Sequence, residues 1–301
     1  EAILASYVER HAPEGIHNAS ALLLDSRTME VLAEVGSANF YDSAIEGQVN
    51  GCEALRSPGS ALKPFLYGLA IQQGVIHPMS VLKDAPIHFS GYNPDNFDND
   101  FEGPLTAKEA LIRSRNVPAV WLMDKVANPD LHDLLAKAGI SRLKPRDWYG
   151  FSLILGTAEL SMKELAGLYA MLARGGSYLP VREVVAPARG ARAGTGRDRA
   201  PSLLGPEAAW LVLDILREKP RPEISETVLA SSRIHPDCAW KTGTSIGFRD
   251  AWSVGVSGPY VLAVWVGNFD GTSNPAFVGL TAAAPLMFEL LDGLNAGGLD
   301  F

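Results

Sequence analysis

The chain is poor in the residues that announce a metal site or a disulfide scaffold. It holds two cysteines, Cys52 and Cys238, and six histidines in 301 residues. Two cysteines set no framework, and neither a Cys-x-x-Cys pair nor histidines at helical spacing are present, so no metal is expected. Positive charge is also short. With 26 Lys+Arg against 34 Asp+Glu the net charge is −8, and a nucleic-acid binder would carry a basic face instead, so no nucleic-acid partner is expected. Apolar runs such as residues 260–266 fall far below the roughly 20 residues that span a bilayer. The opening Glu1-Ala2-Ile3 lacks the basic-then-apolar pattern of a secretion leader. Composition alone therefore reads as a cytosolic enzyme, an expectation that the motifs below reverse. Glycine is plentiful at 29, yet Gly194-Thr195-Gly196 runs into Arg197-Asp198-Arg199 rather than a strand-to-helix junction, so no phosphate-cradling loop and no cofactor are expected.

What is present is a large apolar fraction, 47%, ample for a buried core. The length gives a prior of about two domains. Residues 19–25 and 29–35 are apolar runs split by Ser26-Arg27-Thr28, which predicts an antiparallel hairpin. Leu62, Phe65, Leu66 and Leu69 recur at helical spacing and predict a helix over 60–73, ended by Gly74. Residues 84–103 are aperiodic and rich in Asn, Asp, Gly and Pro, which predicts a long loop. Thr106-Ala107-Lys108-Glu109 and Ser161-Met162-Lys163-Glu164 are capping boxes that open helices. The first of these helices must break near Asn116, because Val117 precedes Pro118. Further helices are expected over 206–217 and 282–294, and a solvated surface loop over 189–202 despite its arginines 189, 192, 197 and 199. Residues 238–245, 250–256 and 260–268 read as three consecutive strands. The last is apolar on both faces and so belongs inside a covered sheet. One sheet built from both ends of the chain, plus a helical lobe, is the expected architecture.

Three short motifs carry chemistry. Ser60-Ala61-Leu62-Lys63 sets a hydroxyl and an amine three apart on a helix, where a lysine with a lowered pKa can activate the serine. Ser80–Lys83 and Ser141–Lys144 share the spacing, but only Ser60 heads a strongly amphipathic helix. Pro64 removes a donor that the Ser60 carbonyl would otherwise use, which predicts local irregularity there. Ser114-Arg115-Asn116 sits at the predicted helix break, where capping is the ordinary role of Ser and Asn; Ser37-Ala38-Asn39 repeats the pattern after a strand. Lys241-Thr242-Gly243-Thr244-Ser245 puts a glycine within a strand, a mark of a bulge or of close backbone approach, beside a cation and hydroxyls suited to a carboxylate.

Ser-x-x-Lys, a Ser-x-Asn element and Lys-Thr-Gly, in this order, form the signature of penicillin-binding proteins and class A β-lactamases. The chain resembles the transpeptidase domain of class A penicillin-binding proteins over essentially its whole length. Arg56-Ser57-Pro58-Gly59-Ser60-Ala61-Leu62-Lys63-Pro64-Phe65 is similar to their active-serine segment, and Leu155-Gly156 with residues 161–176 to their following helix. Residues 240–245 with Gly247-Phe248-Arg249-Asp250-Ala251-Trp252 are similar to the penicillin-binding protein 1C branch.

The resemblance implies an α+β fold of the penicillin-binding protein and serine β-lactamase kind. An antiparallel sheet flanked by helices would form one lobe (about 15–60 and 230–301) and helices a second (about 75–205), a single catalytic unit over 1–301. It implies a peptidoglycan D,D-transpeptidase that cross-links stem peptides through an acyl-serine and is acylated by β-lactams. Ser60 would be the nucleophile, Lys63 its base, and Ser114 a proton relay beside Lys241. Asn116 would orient Lys63. Thr242, Gly243, Thr244 and Ser245 would bind substrate, with Thr242 and Thr244 on the terminal carboxylate. Backbone N–H groups of Ser60 and Thr244 would form the oxyanion hole. A D,D-carboxypeptidase, a β-lactamase and a β-lactam-sensing receptor domain are the alternatives. Arg115 stands where β-lactamases carry Asp, and Glu164 is better explained by capping than as a deacylating carboxylate. The full protein would be membrane-anchored, with a glycosyltransferase domain, and would work in the periplasm. There Cys52 and Cys238 could be neighbours, as a disulfide or as free thiols.

Overall fold

A computed structural model describes residues 1–88, 92–183, 200–222, 236–299 and 301. Its centre is a five-stranded antiparallel sheet in the order β2-β1-β7-β6-β5. The strands are β1 (Asn18–Asp25), β2 (Glu30–Val35), β5 (Ala239–Thr244), β6 (Asp250–Ser257) and β7 (Tyr260–Gly267). β3 (Val81–Asp84) and β4 (Gly103–Thr106) pair separately. All eight residues of β1 are buried and β7 is buried from Val261 onward, because helices cover each side. β7 is apolar on both faces, and the polar Asn18, Ser20 and Asp25 of β1 are hydrogen-bonded. β2 and β5 are the edges.

Two apolar cores lie on opposite faces of this sheet. On the outer face, α1 (Ala2–His11) and the C-terminal helix α9 (Ala284–Ala296) bring Leu4, Tyr7, Met287 and Phe288 against Leu23, Leu262 and Val264. On the inner face, α2 (Lys63–Gln72), α7 (Met162–Ala173) and α8 (Pro206–Arg217) contribute Phe65, Leu66, Tyr169, Leu172 and Leu216. Beyond them lie α3 (Ala107–Ile112), α4 (Asn116–Lys125), α5 (Leu131–Lys137) and α6 (Arg146–Tyr149). No helix among the described residues is long and apolar enough to cross a membrane.

Several expectations hold in detail. Both capping boxes form with their reciprocal bonds, and α8 has the predicted limits. Others need correction. The helix over 60–73 divides into a 3-10 turn, Gly59–Leu62, and α2, because Pro64 has no N–H for the Ser60 carbonyl; that carbonyl accepts from Lys63 N instead. Met29 is not a strand residue but a buried turn residue at φ 60°, so β2 starts at Glu30. The long loop over 84–103 is bracketed by the β3–β4 ladder, whose four-residue strands, one with Pro104, are too short to show a period. The last helix is preceded by a π-type turn, Gly279–Ala283. Most of the 189–202 loop, residues 189–199, lies outside the described residues. Cys52 and Cys238 are both free and buried, in the inner and outer cores respectively, so the sheet separates them and they are not neighbours. Burial pushes each thiol up to about 12.

Candidate active site

The free edge of β5 is where the three motifs meet. The Gly59–Leu62 turn abuts this edge backbone to backbone, a packing that only glycine permits. A Cβ on Gly243 would stand 2.0 Å from the Pro58 carbonyl oxygen, and one on Gly59, at φ +54°, would stand 2.3 Å from that of Thr244. Gly156 supports the turn from the far side. Polar side chains fix it further: Trp252 Nε1 donates to the Ser57 carbonyl (2.8 Å), Ser57 Oγ to that of Gly156 (2.8 Å), and buried Tyr169 Oη to that of Ala61 (2.8 Å). Ser60, at the head of α2, is thereby held half-buried on the wall of a cavity of about 420 Å³. The two other Ser-x-x-Lys copies have exposed lysines, Lys83 and Lys144, and neither lies on this cavity.

Ser114 reaches the same wall because α3 ends in a Schellman closure. Arg115 N donates to Ala110 O (2.9 Å) and Ser114 N to Leu111 O (3.2 Å), with Ser114 in the left-handed region at φ 62°. Serine has a Cβ penalty there that glycine lacks, of about 1–3 kcal/mol, and such strain collects at functional sites. Neither Ser114 nor Asn116 caps α4; the N-cap is Arg115, with no side-chain cap. Their side chains turn to the lysines instead. Lys63 Nζ donates to Asn116 Oδ1 (2.7 Å) and to the Ser114 carbonyl (2.6 Å), and Lys241 Nζ to Ser114 Oγ (2.7 Å) and the Thr242 carbonyl (2.8 Å). No hydrogen bond joins Lys63 to Ser60; the donors of Lys63 are taken up by the residues on the α3–α4 turn.

Lys63 and Lys241 have no exposed surface. Burial, and then the charge of Arg115, bring Lys63 down to about 7, against an opposing pull from Asp84. Burial, then the charges of Lys219 and Lys63, hold Lys241 well below the usual lysine range. A lysine near 7 is neutral often enough at neutral pH to take a proton from a serine hydroxyl.

The remaining members of the third motif differ in placement. Thr242, Thr244 and Ser245 line the cavity, whereas Gly243 is turned to Pro58 and does not. Ser245 Oγ accepts from Asp250 N (2.8 Å) and so holds the β5–β6 turn, while Thr244 Oγ1 accepts from Gly279 N (2.9 Å). Glu164 serves its capping box and also accepts from Ser141 N; Glu159 is exposed and off the cavity.

Sequence reasoning missed three supports. Arg115 is buried and donates through Nε to Asp84 (2.7 Å) and through Nη1 to Asp98 (2.6 Å). Asn96 donates to Asp84 (2.7 Å) and accepts from Asn116 N (2.8 Å), which ties the loop between β3 and β4 to the head of α4. Lys219, just beyond α8, also lines the cavity. Nothing local marks these residues, since each partner lies far along the chain; the polar run around Asn96 was the one available signal.

A strained turn that presents a serine over two buried, pKa-lowered lysines, beside an edge strand with hydroxyls, defines a serine acyl-transfer fold. The chain belongs to the penicillin-binding protein transpeptidase family: the family model described as "Penicillin binding protein transpeptidase domain" matches residues 19–282. The expected likeness to the 1C branch is borne out. Penicillin-binding protein 1C of Escherichia coli (strain K12) is 36% identical over 89% of this chain and 33% of its own length. Penicillin-binding protein 1A of Neisseria cinerea is 28% identical over 95% of this chain and 37% of its own. The chain thus spans about a third of these relatives. The fold is shared with the solved penicillin-binding protein PonA1 of Mycobacterium tuberculosis (TM-score 0.79, 24% identity, 100% of this chain and 83% of that one).

Proposed function

We propose that this domain is a peptidoglycan D,D-transpeptidase working through an acyl-Ser60 intermediate. The observation that carries the reading is that Ser60, Ser114 and Asn116 share one cavity wall while the enclosed Lys63 and Lys241 bond to Ser114 behind it, with Lys63 brought to about 7. Neutral Lys63 takes the Ser60 proton as Oγ attacks the carbonyl between the two terminal D-alanines of a stem peptide. Neutral Lys63 spends its two N–H donors on the Ser114 carbonyl and Asn116 Oδ1, which leaves its lone pair to accept the Ser60 proton when substrate enters. Backbone N–H groups of Ser60 and Thr244 stabilise the oxyanion. The bond to the terminal D-alanine breaks, and its nitrogen receives a proton through Ser114 Oγ. The amine of a second stem peptide then attacks the Ser60 ester, forming the cross-link and returning the hydroxyl. Thr242 and Thr244 hold the donor's terminal carboxylate. β-Lactams acylate the same serine, and the solved PonA1 complex with penicillin V, a fold neighbour, supports that reading.

The relatives are about three times the length of this chain. From the resemblance to class A penicillin-binding proteins we infer that the full protein is a periplasmic enzyme anchored in the inner membrane, with a glycosyltransferase domain besides this two-lobed unit. The test is labelling with a fluorescent penicillin followed by intact-mass measurement and peptide mapping. One adduct on Ser60, lost in Ser60→Ala, is expected; a label on Ser80 or Ser141 overturns the assignment. Turnover of the adduct that requires an added amine supports transpeptidation. Rapid hydrolysis marks a carboxypeptidase or β-lactamase instead, and a permanent adduct with no turnover of peptide substrate marks a sensor.

A further inference from the structure

The cavity wall contains a cation that the three motifs leave unassigned. We propose that Lys219 is the specificity-determining residue of this site, supplying the positive charge that holds the substrate's terminal carboxylate beside Thr242 and Thr244. The proposal rests on the acyl-serine reading and deepens it.

The lysine of the third motif is not placed for that task. Lys241 is fully buried, is not on the cavity wall, and donates to Ser114 Oγ and the Thr242 carbonyl. Lys63 is likewise enclosed, with donors spent on Ser114 and Asn116. Among the described residues two cations line the cavity, Arg113 and Lys219. Arg113 is already neutralised by Glu102, with Glu109 at 4.0 Å.

Lys219 has no carboxylate partner among the described residues, and its neighbour Glu218 pairs with Lys108 (2.7 Å). The Lys219 ammonium lies 4.0 Å from the centroid of the Trp240 ring and 3.4 Å from Thr242 Oγ1. Trp240 Nε1 in turn donates to the Lys219 carbonyl (3.0 Å), so the indole fixes the residue at both ends. An aromatic face attracts a cation without cancelling its charge. The result is an anchored, unneutralised ammonium whose nearest hydroxyl belongs to the carboxylate-binding motif. Burial lowers it to about 8, so it is mostly charged at neutral pH and gains from an incoming anion. Its field also depresses Lys241, which divides the labour: Lys219 meets the substrate's charge while Lys241 serves Ser114.

The experiment compares second-order acylation of Ser60 by benzylpenicillin and by its uncharged methyl ester, read by intact mass, in the wild type, Lys219→Met and Lys219→Arg. Loss of one charge-assisted contact lowers the rate with benzylpenicillin about 10- to 100-fold in Lys219→Met. The ester rate falls far less than the benzylpenicillin rate, so the preference for the carboxylate collapses, while Lys219→Arg keeps it. A Lys219→Met protein that retains the wild-type ratio overturns the proposal, whether both rates persist or both fall together, since a merely structural role moves the two alike. Absence of any adduct on the wild-type chain overturns the acyl-serine reading itself.

Discussion

The two faces of the sheet are built for different ends. On the outer face α1 and α9 close over an apolar cluster in which Leu4, Phe277 and Phe288 are all fully buried, and only Trp240, through Lys219, connects it to the site. On the inner face an equally apolar core is interrupted at its β5 edge by Lys63 and Lys241, both without exposed surface, and by the buried Arg115–Asp84 pair. Burying an ammonium is unfavourable unless hydrogen bonds or opposite charge offset it. Both faces thus hold the fold together, and the inner one also accepts that cost at its β5 edge, where a lysine must be able to lose its proton near neutrality.

The sharpest way to break this contrast is Lys63→Met. Acylation by penicillin should fall by about 10²- to 10⁴-fold, the usual worth of a general base, while thermal stability holds or rises, because a buried cation has been replaced by an apolar chain of similar length. The sign of the pH dependence follows from the same shift. Lys63 binds its proton less tightly when folded, about 7 against 10.5. Acylation should then rise with pH through about 7. Stability should also increase between about 7 and 10.5, where the unfolded chain is protonated at this site and the folded chain is not; below 7 the penalty is fully present.

The opposite outcome is expected of Leu4→Ala on the outer face. It should cost about 2–5 kcal/mol of unfolding free energy, measured by denaturant titration, and leave acylation per folded molecule unchanged. A large loss of acylation there would mean that the faces are not separable. The smallest effect tests the seam between them: Gly243→Ala places a Cβ against the Pro58 carbonyl. We expect a loss of about 1–3 kcal/mol of stability, together with slower acylation as the Ser60 turn is displaced from β5.

Much of the fold was legible because local signals and tertiary demands agree. β7 read as a covered strand since both its faces are apolar, β1 as one arm of a hairpin, and α3 and α7 announced themselves by capping boxes that form as written. Helices α1, α5 and α6 were missed, as was the β3–β4 ladder, whose strands are too short for a period to register. The candidate site was legible as three motifs, and Gly243 was rightly read as a point of close backbone approach. The approach, however, is to Pro58 within the protein rather than to a bound peptide. The capping role weighed for Ser114 and Asn116 also gave way, because a Schellman closure lifts Ser114 into the left-handed region and frees both side chains. No neighbour in sequence reveals that.

By itself the sequence determined which residues can do chemistry and in what order they occur along the chain: a serine with a lysine one helical turn on, a serine–asparagine pair at a helix break, and a lysine–threonine–glycine strand. Tertiary structure decided which of three Ser-x-x-Lys copies is enclosed, that Lys63 and Lys241 lose their solvent while Lys83 and Lys144 keep it, and that Lys219 reaches the cavity. The physical reason is that a lysine's proton affinity is not a property of its spacing. It follows from how much water remains around the amine and which charges stand beside it, and both are supplied by residues from distant parts of the chain.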